Sequence, residues 1–137
     1  MKQLVKITEI RNTGDNRGFG YVAGTESLGF LHSLKDMHVM SIVPGASRGN
    51  HYHGDHREIL LIVYTDTWLL RWDSGANTNI EECVFSGSGS VLLEIEPMAS
   101  HLLHNQGSSD LLVIGLSDIP YNGARPDSHN RWGAVSA

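Results

Sequence analysis

Residues 45–58, GASRGNHYHGDHRE, gather three of the eight histidines of the chain beside an arginine and a glutamate. In a strand, residues two apart share a face, so His51 and His53 project side by side while Tyr52 points away. Glu58 opens the apolar run EILLIVY, in which residues 58, 60, 62 and 64 share a face, and a carboxylate at the start of a neighbouring strand reaches the same point. Far downstream, IEPMASHLLHN offers His101 just after a proline-marked bend. Three imidazoles and one carboxylate form a ligand set with open coordination positions that suits one divalent ion, Zn, Fe, Mn, Ni or Cu, without choosing among them. The same imidazoles are acid–base groups if no metal is present.

Side chains so far apart in sequence must be brought together by the fold. Short apolar or alternating runs recur along the chain: QLVKITEI, GFGYVA, MHVMSIV, EILLIVY, TWLLRW, NIEECVF, SVLLEI and LLVIGL. Between them lie NTGDNRG, PGASRGN, DSGANTN, SGSGS and NQGSSD, rich in residues that accept tight turns. Many short strands with such punctuation predict an all-β sandwich or barrel. In TWLLRW, Trp68, Leu70 and Trp72 alternate onto one face and Leu69 and Arg71 onto the other, which makes Arg71 a candidate to point into a barrel. After about Asp118 the pattern fades into IPYNGARPDSHNRWGAVSA. The expected organisation is one barrel domain over residues 1–117 and an extended tail, 118–137, lying over that domain or over a partner subunit.

The whole chain narrows the function classes. At 137 residues it has the size of one domain with a real core. Ten basic residues against fifteen acidic ones give a net charge of −5 with no basic patch, so nucleic acid is not an expected partner. The single Cys83 forms no internal disulfide. No apolar run approaches the roughly 20 residues of a membrane span. The opening MKQLVKITEI lacks the roughly 7–15-residue apolar core of a signal peptide, and the cytoplasm is the expected compartment.

Other polar residues read as structural. His56 falls in the turn GDHRE and is expected to be exposed. His104, three residues after His101, takes the opposite strand face and reads as a barrel-exterior or interface residue. His32, His38 and His129 have no supporting pattern. Tyr52 and Tyr64 read as packing with a polar tip, and Trp68 and Trp72 as core or interface. Cys83, among acidic and apolar neighbours, reads as a structural thiol. Gly87 and Gly89 in SGSGS lack the lysine of a phosphate loop.

The spacing Gly45, His51, His53 and Glu58 resembles the first motif of the cupin superfamily, and Pro97, His101 and Asn105 resemble the second. Thr65 and Met98 stand where those motifs have glycine, and Pro97 falls one place late. The resemblance implies a double-stranded β-helix, or jelly-roll, cupin barrel. Within the superfamily, SRGNHYH and the upstream GDNRGF of residues 14–19 resemble elements of sugar-nucleotide 3,5-epimerases, 3,4-ketoisomerases and the cupin domain of capsular-polysaccharide enzymes. That likeness implies one divalent metal held by His51, His53, Glu58 and His101, or His51 and His53 as the bases in a metal-free version. It also implies substrate contact by Arg48, whose planar fork suits a diphosphate; Arg71 is the second candidate for substrate contact. The expected protein is a homodimeric epimerase or isomerase of a nucleotide-linked keto sugar in surface-polysaccharide synthesis. The same ligand set also serves metal-dependent dioxygenases, and a non-catalytic ligand-binding cupin is the third alternative.

Overall fold

The apolar runs pair as strands because each offers one face or two to a common interior. The computed structural model describes residues 2–23, 33–119 and 127–133. Among the described residues nine strands follow in order: β1 (Val5–Ile10), β2 (Asp36–Ile42), β3 (Ser47–His51), β4 (Glu58–Tyr64), β5 (Trp68–Trp72), β6 (Glu81–Phe85), β7 (Gly89–Ile95), β8 (His101–Asn105) and β9 (Leu111–Ser117). They form a five-stranded sheet, β1-β7-β4-β9-β2, and a four-stranded sheet, β3-β8-β5-β6, antiparallel throughout.

The pairing has the logic of a jelly roll. Strands β2, β3, β4 and β5 pair in reverse order with β9, β8, β7 and β6, like one long hairpin, and the additional pairs β4 with β9 and β5 with β8 roll it up. The expected all-β jelly-roll barrel is therefore present. The run GFGYVA forms no strand: its Tyr21 makes an isolated bridge to Asn12, and Asp15 bridges to Gly18 in a tight reverse turn. The two strands that carry the site, β3 and β8, lie outside the apolar runs, at residues whose histidine spacing reads as strand.

Strand position explains the sequence patterns. β4 lies between β7 and β9, so EILLIVY is apolar on both faces: Leu60, Ile62 and Tyr64 enter the main core, while Ile59 packs with Leu92 on the outer face. The edge strand β6 instead exposes Glu81 and Glu82, which discourages pairing with another chain. Trp68 is fully buried and stacks on Phe85, with ring centroids 4.6 Å apart, so the expected core role of that ring holds. Each fully buried Ile62, Leu70 or Leu93 contributes about 1.5–3 kcal/mol of apolar burial.

Asn105 closes the barrel between β8 and the segments around it. Its buried side chain donates to the carbonyls of Ile42 and Ser109, each at 2.8 Å, and accepts from the Gly107 N–H at 2.9 Å. Asn105→Ala is expected to destabilise the fold by roughly 2–4 kcal/mol, because the buried Ile42 carbonyl, the Ser109 carbonyl and the Gly107 amide lose their partner together. Urea unfolding measures this, and a loss below about 0.5 kcal/mol would show that the clasp is dispensable.

Candidate metal and ligand site

Arg48 and His51 are three residues apart, a spacing that puts side chains on opposite faces of a regular strand. A β-bulge corrects the parity. Gly49 faces Leu102, whereas His51, not Asn50, faces His101. The extra residue is absorbed by two left-handed conformations, φ 97° at Gly49 and 59° at Asn50. A Cβ on Gly49 would lie 2.6 Å from the carbonyl oxygen of His101, so glycine is required both for its φ and for its closeness to β8. Arg48, His51 and His53 consequently all line one cavity of about 890 Å³, together with Glu58 and His101.

The cluster is tight and largely buried. His53, Glu58 and His101 are buried, and His51 is half-buried. Ring centroids of His51 lie 4.7 Å from His53 and 4.9 Å from His101. One nitrogen from each of the three imidazoles falls within 4.8 Å of the others. The Nδ1 atoms of His53 and His101 contact the carbonyl oxygens of Asp127, at 2.7 Å, and Ala99, at 3.1 Å. A carbonyl can only accept, so each Nδ1 carries a proton and each Nε2 is left to face Glu58. Those Nε2 atoms lie 3.7 Å (His53) and 3.4 Å (His101) from the Glu58 oxygens. The Nε2 of His53 is buried without a hydrogen-bond partner among the described residues.

Acceptor lone pairs facing one another in a buried site call for a cation or a proton between them. Without a metal the compensation falls to protons. Burial by itself would raise the Glu58 carboxyl, but the imidazoles of His101 and His53 hold it well below the ordinary carboxylate range. Burial opposes charge on His53, yet Glu58 and the Asp127 carbonyl outweigh it and raise that ring. His51 is pushed down to about 4, first by burial and then by the neighbouring His101 and His53. The residues fit a metal as well: two nitrogen or oxygen ligands of one first-row ion stand roughly 3–3.5 Å apart, given bonds of about 2.0–2.2 Å to each.

The segment 127–133 packs against the barrel strands and the turns beside them. His129 pairs with Tyr52 through both backbone groups. Asp127 accepts from the amides of Gly54 and Asp55, at 2.9 and 3.0 Å, and from the His129 ring at 2.9 Å. Burial opposes the charge on Asp127, but these donors hold its carboxyl well below the usual range. Arg131 sits over the Tyr52 ring at 4.3 Å and donates to buried Asp73 at 2.7 Å, where the Trp132 indole also donates. Residues 120–126 and 134–137 of the tail lie outside the described residues.

Several expectations need correction. His56 is not an exposed turn residue: its side chain is 14% exposed, its ring lies 4.1 Å from that of His53, and its Nδ1 is 3.2 Å from Asp127. With His53 and Glu58 it forms a second, overlapping ligand group. Arg71 does not point into the barrel. Trp68 and Leu70 occupy the core, so Arg71 takes the outer face, paired with Glu82 at 2.8 Å and off the cavity wall. Arg48 does reach the cavity, its Nε donating to the Ser41 carbonyl at 2.8 Å. The Arg17 of GDNRGF pairs with its own Asp15 in an exposed turn that is not part of the cavity.

The remaining polar residues divide simply. His104 takes the face opposite His101, as expected, but is buried, with Nδ1 at 2.9 Å from Ser47 Oγ and 3.1 Å from the Ala46 carbonyl. Tyr64 packs in the core. Burial, followed by Glu9, pushes the Cys83 thiol up, in keeping with a structural role. His32 lies outside the described residues. Sequence reasoning missed Asp127, His129 and Asp73, which sit in or beside segments with no periodic pattern.

Residues 24–129 match the family described as the polysaccharide biosynthesis C-terminal domain. The chain belongs to that family. No curated protein matches the sequence. Solved structures share its fold at low sequence identity. The capsular polysaccharide assembling protein CapF from Staphylococcus aureus aligns over 88% of this chain and 34% of its own, at 20% identity and a TM-score of 0.61. This polysaccharide biosynthesis domain thus spans about a third of the CapF chain. The 3,4-ketoisomerase QdtA from Thermoanaerobacterium thermosaccharolyticum, solved in complex with TDP-4-keto-6-deoxyglucose, aligns over 96% of this chain and 91% of its own, with 19% identity and a TM-score of 0.68. NovW from Streptomyces spheroides, a 4-keto-6-deoxy sugar epimerase, aligns over 93% and 68%, with 13% identity and a TM-score of 0.72. The fold is the cupin jelly roll.

The depressed value of His51 has a consequence for metal-free protein. Its folded pKa, about 4, lies below the ~6.5 of an unfolded ring, so the neutral ring adds stability that is full above about pH 6.5 and is lost as pH falls towards 4. The raised ring of His53 acts oppositely, adding stability below about pH 6.5 that is lost as pH rises through its folded value. Between about pH 7 and pH 5, urea unfolding of chelator-treated protein is expected to show an acid-side stability term that His51→Gln removes. Identical pH dependence in both proteins would refute the assignment.

Proposed function

We propose that the domain binds one divalent metal through His51, His53, Glu58 and His101 and acts on a nucleotide-linked keto sugar as an epimerase or isomerase. The observation that carries the reading is the buried, unpartnered Nε2 of His53 turned towards Glu58 inside the cavity. A site of that make-up holds a cation or a mobile proton, and both suit chemistry beside a carbonyl. The protons on the carbons next to a 4-keto group are acidified. Removing one leaves an enolate: its return to the opposite face is epimerisation, and transfer of the carbonyl through an enediol is isomerisation.

The chain divides the work among its own residues. His53 and His101 are fixed in ring orientation by backbone carbonyls, which keeps both Nε2 atoms available to an ion. When bound, the ion supplies Lewis-acid stabilisation of the enolate oxygen. Arg48, anchored at Nε by Ser41, offers its guanidinium to a diphosphate or an oxyanion at the cavity wall. The apolar wall formed by Leu60, Leu103 and Val113 excludes water behind the sugar. The named neighbours support this substrate class: QdtA is a 3,4-ketoisomerase held with a TDP-linked keto sugar, and NovW is a keto sugar epimerase.

Elemental analysis of protein purified without chelators is expected to find about one metal per chain. His53→Ala and His101→Ala are each expected to lose it while keeping the wild-type strand signal in circular dichroism. Folded wild-type protein that carries no metal and refuses added Zn, Mn and Fe would remove the metal from this reading and return His51 and His53 to proton transfer.

Arg48→Ala is expected to weaken a nucleotide-linked sugar by about tenfold or more, while a bare sugar is little affected. Titration calorimetry with the two ligands makes the comparison. Equal weakening of both would show that Arg48 does not meet the diphosphate.

A further inference from the structure

If the four residues that face the ion are occupied as ligands, none of them is free to take a proton, and the proposed reaction requires another base. The wall of the cavity opposite β3 and β8 carries one. Asp36, His38, Met40 and Ile42 of β2 all line the cavity, and Asp36 Oδ2 lies 3.5 Å from the Nδ1 of His38. His38 faces Gly115 of β9, and a Cβ there would lie 2.9 Å from His38 Nε2 and 3.2 Å from its Cδ2. The ring therefore rests on the bare backbone of β9, leaning from the edge strand towards β4. Only glycine at that position leaves the space.

Strand register fixes where the ring sits relative to the cluster. Asp36, Ser117 and Glu58 occupy one row across β2, β9 and β4, and His38, Gly115 and Leu60 occupy a neighbouring row on the same face. Strands lie about 4.8 Å apart, so the backbone of His38 is roughly 10 Å from that of β4, and the ring leans across β9 in that direction. The imidazole side chain of His38 is 43% exposed at the cavity, where a bound sugar would cover it.

We propose that His38 is the proton-transferring residue of this site, oriented by Asp36 and seated on Gly115; the proposal rests on the keto-sugar reading above. The Nε2 lone pair takes the proton from the carbon beside the carbonyl. The C–H electron pair becomes the C=C bond of the enolate and the carbonyl π pair moves onto oxygen. In isomerisation that oxygen takes a proton from water, the neighbouring enediol hydroxyl releases one as the new carbonyl forms, and the imidazolium delivers its proton to the former carbonyl carbon; in epimerisation water supplies the proton on the opposite face and the imidazolium releases its own to solvent. No oxidant or reductant is involved.

The test follows solvent deuterium into TDP-4-keto-6-deoxyglucose in D2O. Wild-type protein is expected to exchange a proton beside the carbonyl. His38→Asn is expected to lower that rate by about 100-fold or more, with metal content and affinity for the nucleotide sugar unchanged. Gly115→Ala, which keeps His38 but displaces its ring, is expected to lower the rate with the same metal content. Asp36→Asn is expected to lower kcat with little change in KM, as a positioning residue does. Exchange by His38→Asn within about threefold of the wild type would overturn the role of His38 while leaving the keto-sugar reading intact. A metal-loaded wild type that binds the nucleotide sugar and exchanges nothing would overturn both.

Discussion

The structure turns on one buried carboxylate. Glu58 is 7% exposed and stands at the start of β4, with the Nε2 atoms of His101 and His53 at 3.4 and 3.7 Å. An uncompensated charge in that setting costs several kcal/mol, so the site exists only as a set of groups that neutralise one another. Local features nearby serve that set. The Gly49 bulge turns His51 inward opposite His101, and the Ala99 carbonyl fixes the His101 ring. The Asp127 carbonyl fixes His53 from outside the barrel strands.

The strand that carries this charge also carries the core. Along the inner face of β4, Glu58 borders the cavity, Leu60 belongs to both the cavity wall and the core, and Ile62 and Tyr64 are packed inside. One end of the barrel is thus filled with Trp68, Phe85, Val91 and Leu93, and the other is left open, with the histidine–carboxylate cluster set against an apolar wall. That division is what a rolled pair of antiparallel sheets permits. A filled end supplies the stability against which a poorly packed, charge-bearing end can be held in place.

The sequence made the histidine–glutamate cluster and the strand architecture legible because both follow short periods. Alternation put residues 58, 60, 62 and 64 on one face, and the structure keeps them there. What local pattern could not decide was which face is inside. In TWLLRW the parity was read correctly, but the two tryptophans and Leu70 claim the interior, which sends Arg71 out to Glu82. Nor could it show the bulge, where two left-handed residues reverse parity between Arg48 and His51. His38 carried no signal because its meaning lies in Gly115, a partner known only from strand register.

His56 marks the deeper reason that part of the site was hidden. Its turn, GDHRE, has the composition of an exposed loop, and taken with the strands alone it would be one. Asp127 changes that by accepting from the amides of Gly54 and Asp55 and standing 3.2 Å from the His56 ring. The Asp127 contribution to His53 is a backbone carbonyl, which leaves no trace in residue type. Asp73, Arg131 and Trp132 then fasten the same segment to the end of β5, and Arg131 covers Tyr52. The side of the histidine cluster that faces away from the strands is therefore built by Asp127, which His129, Arg131 and Trp132 hold in place. The cavity is thus walled by the barrel strands together with Asp127 and Ser128 of that segment.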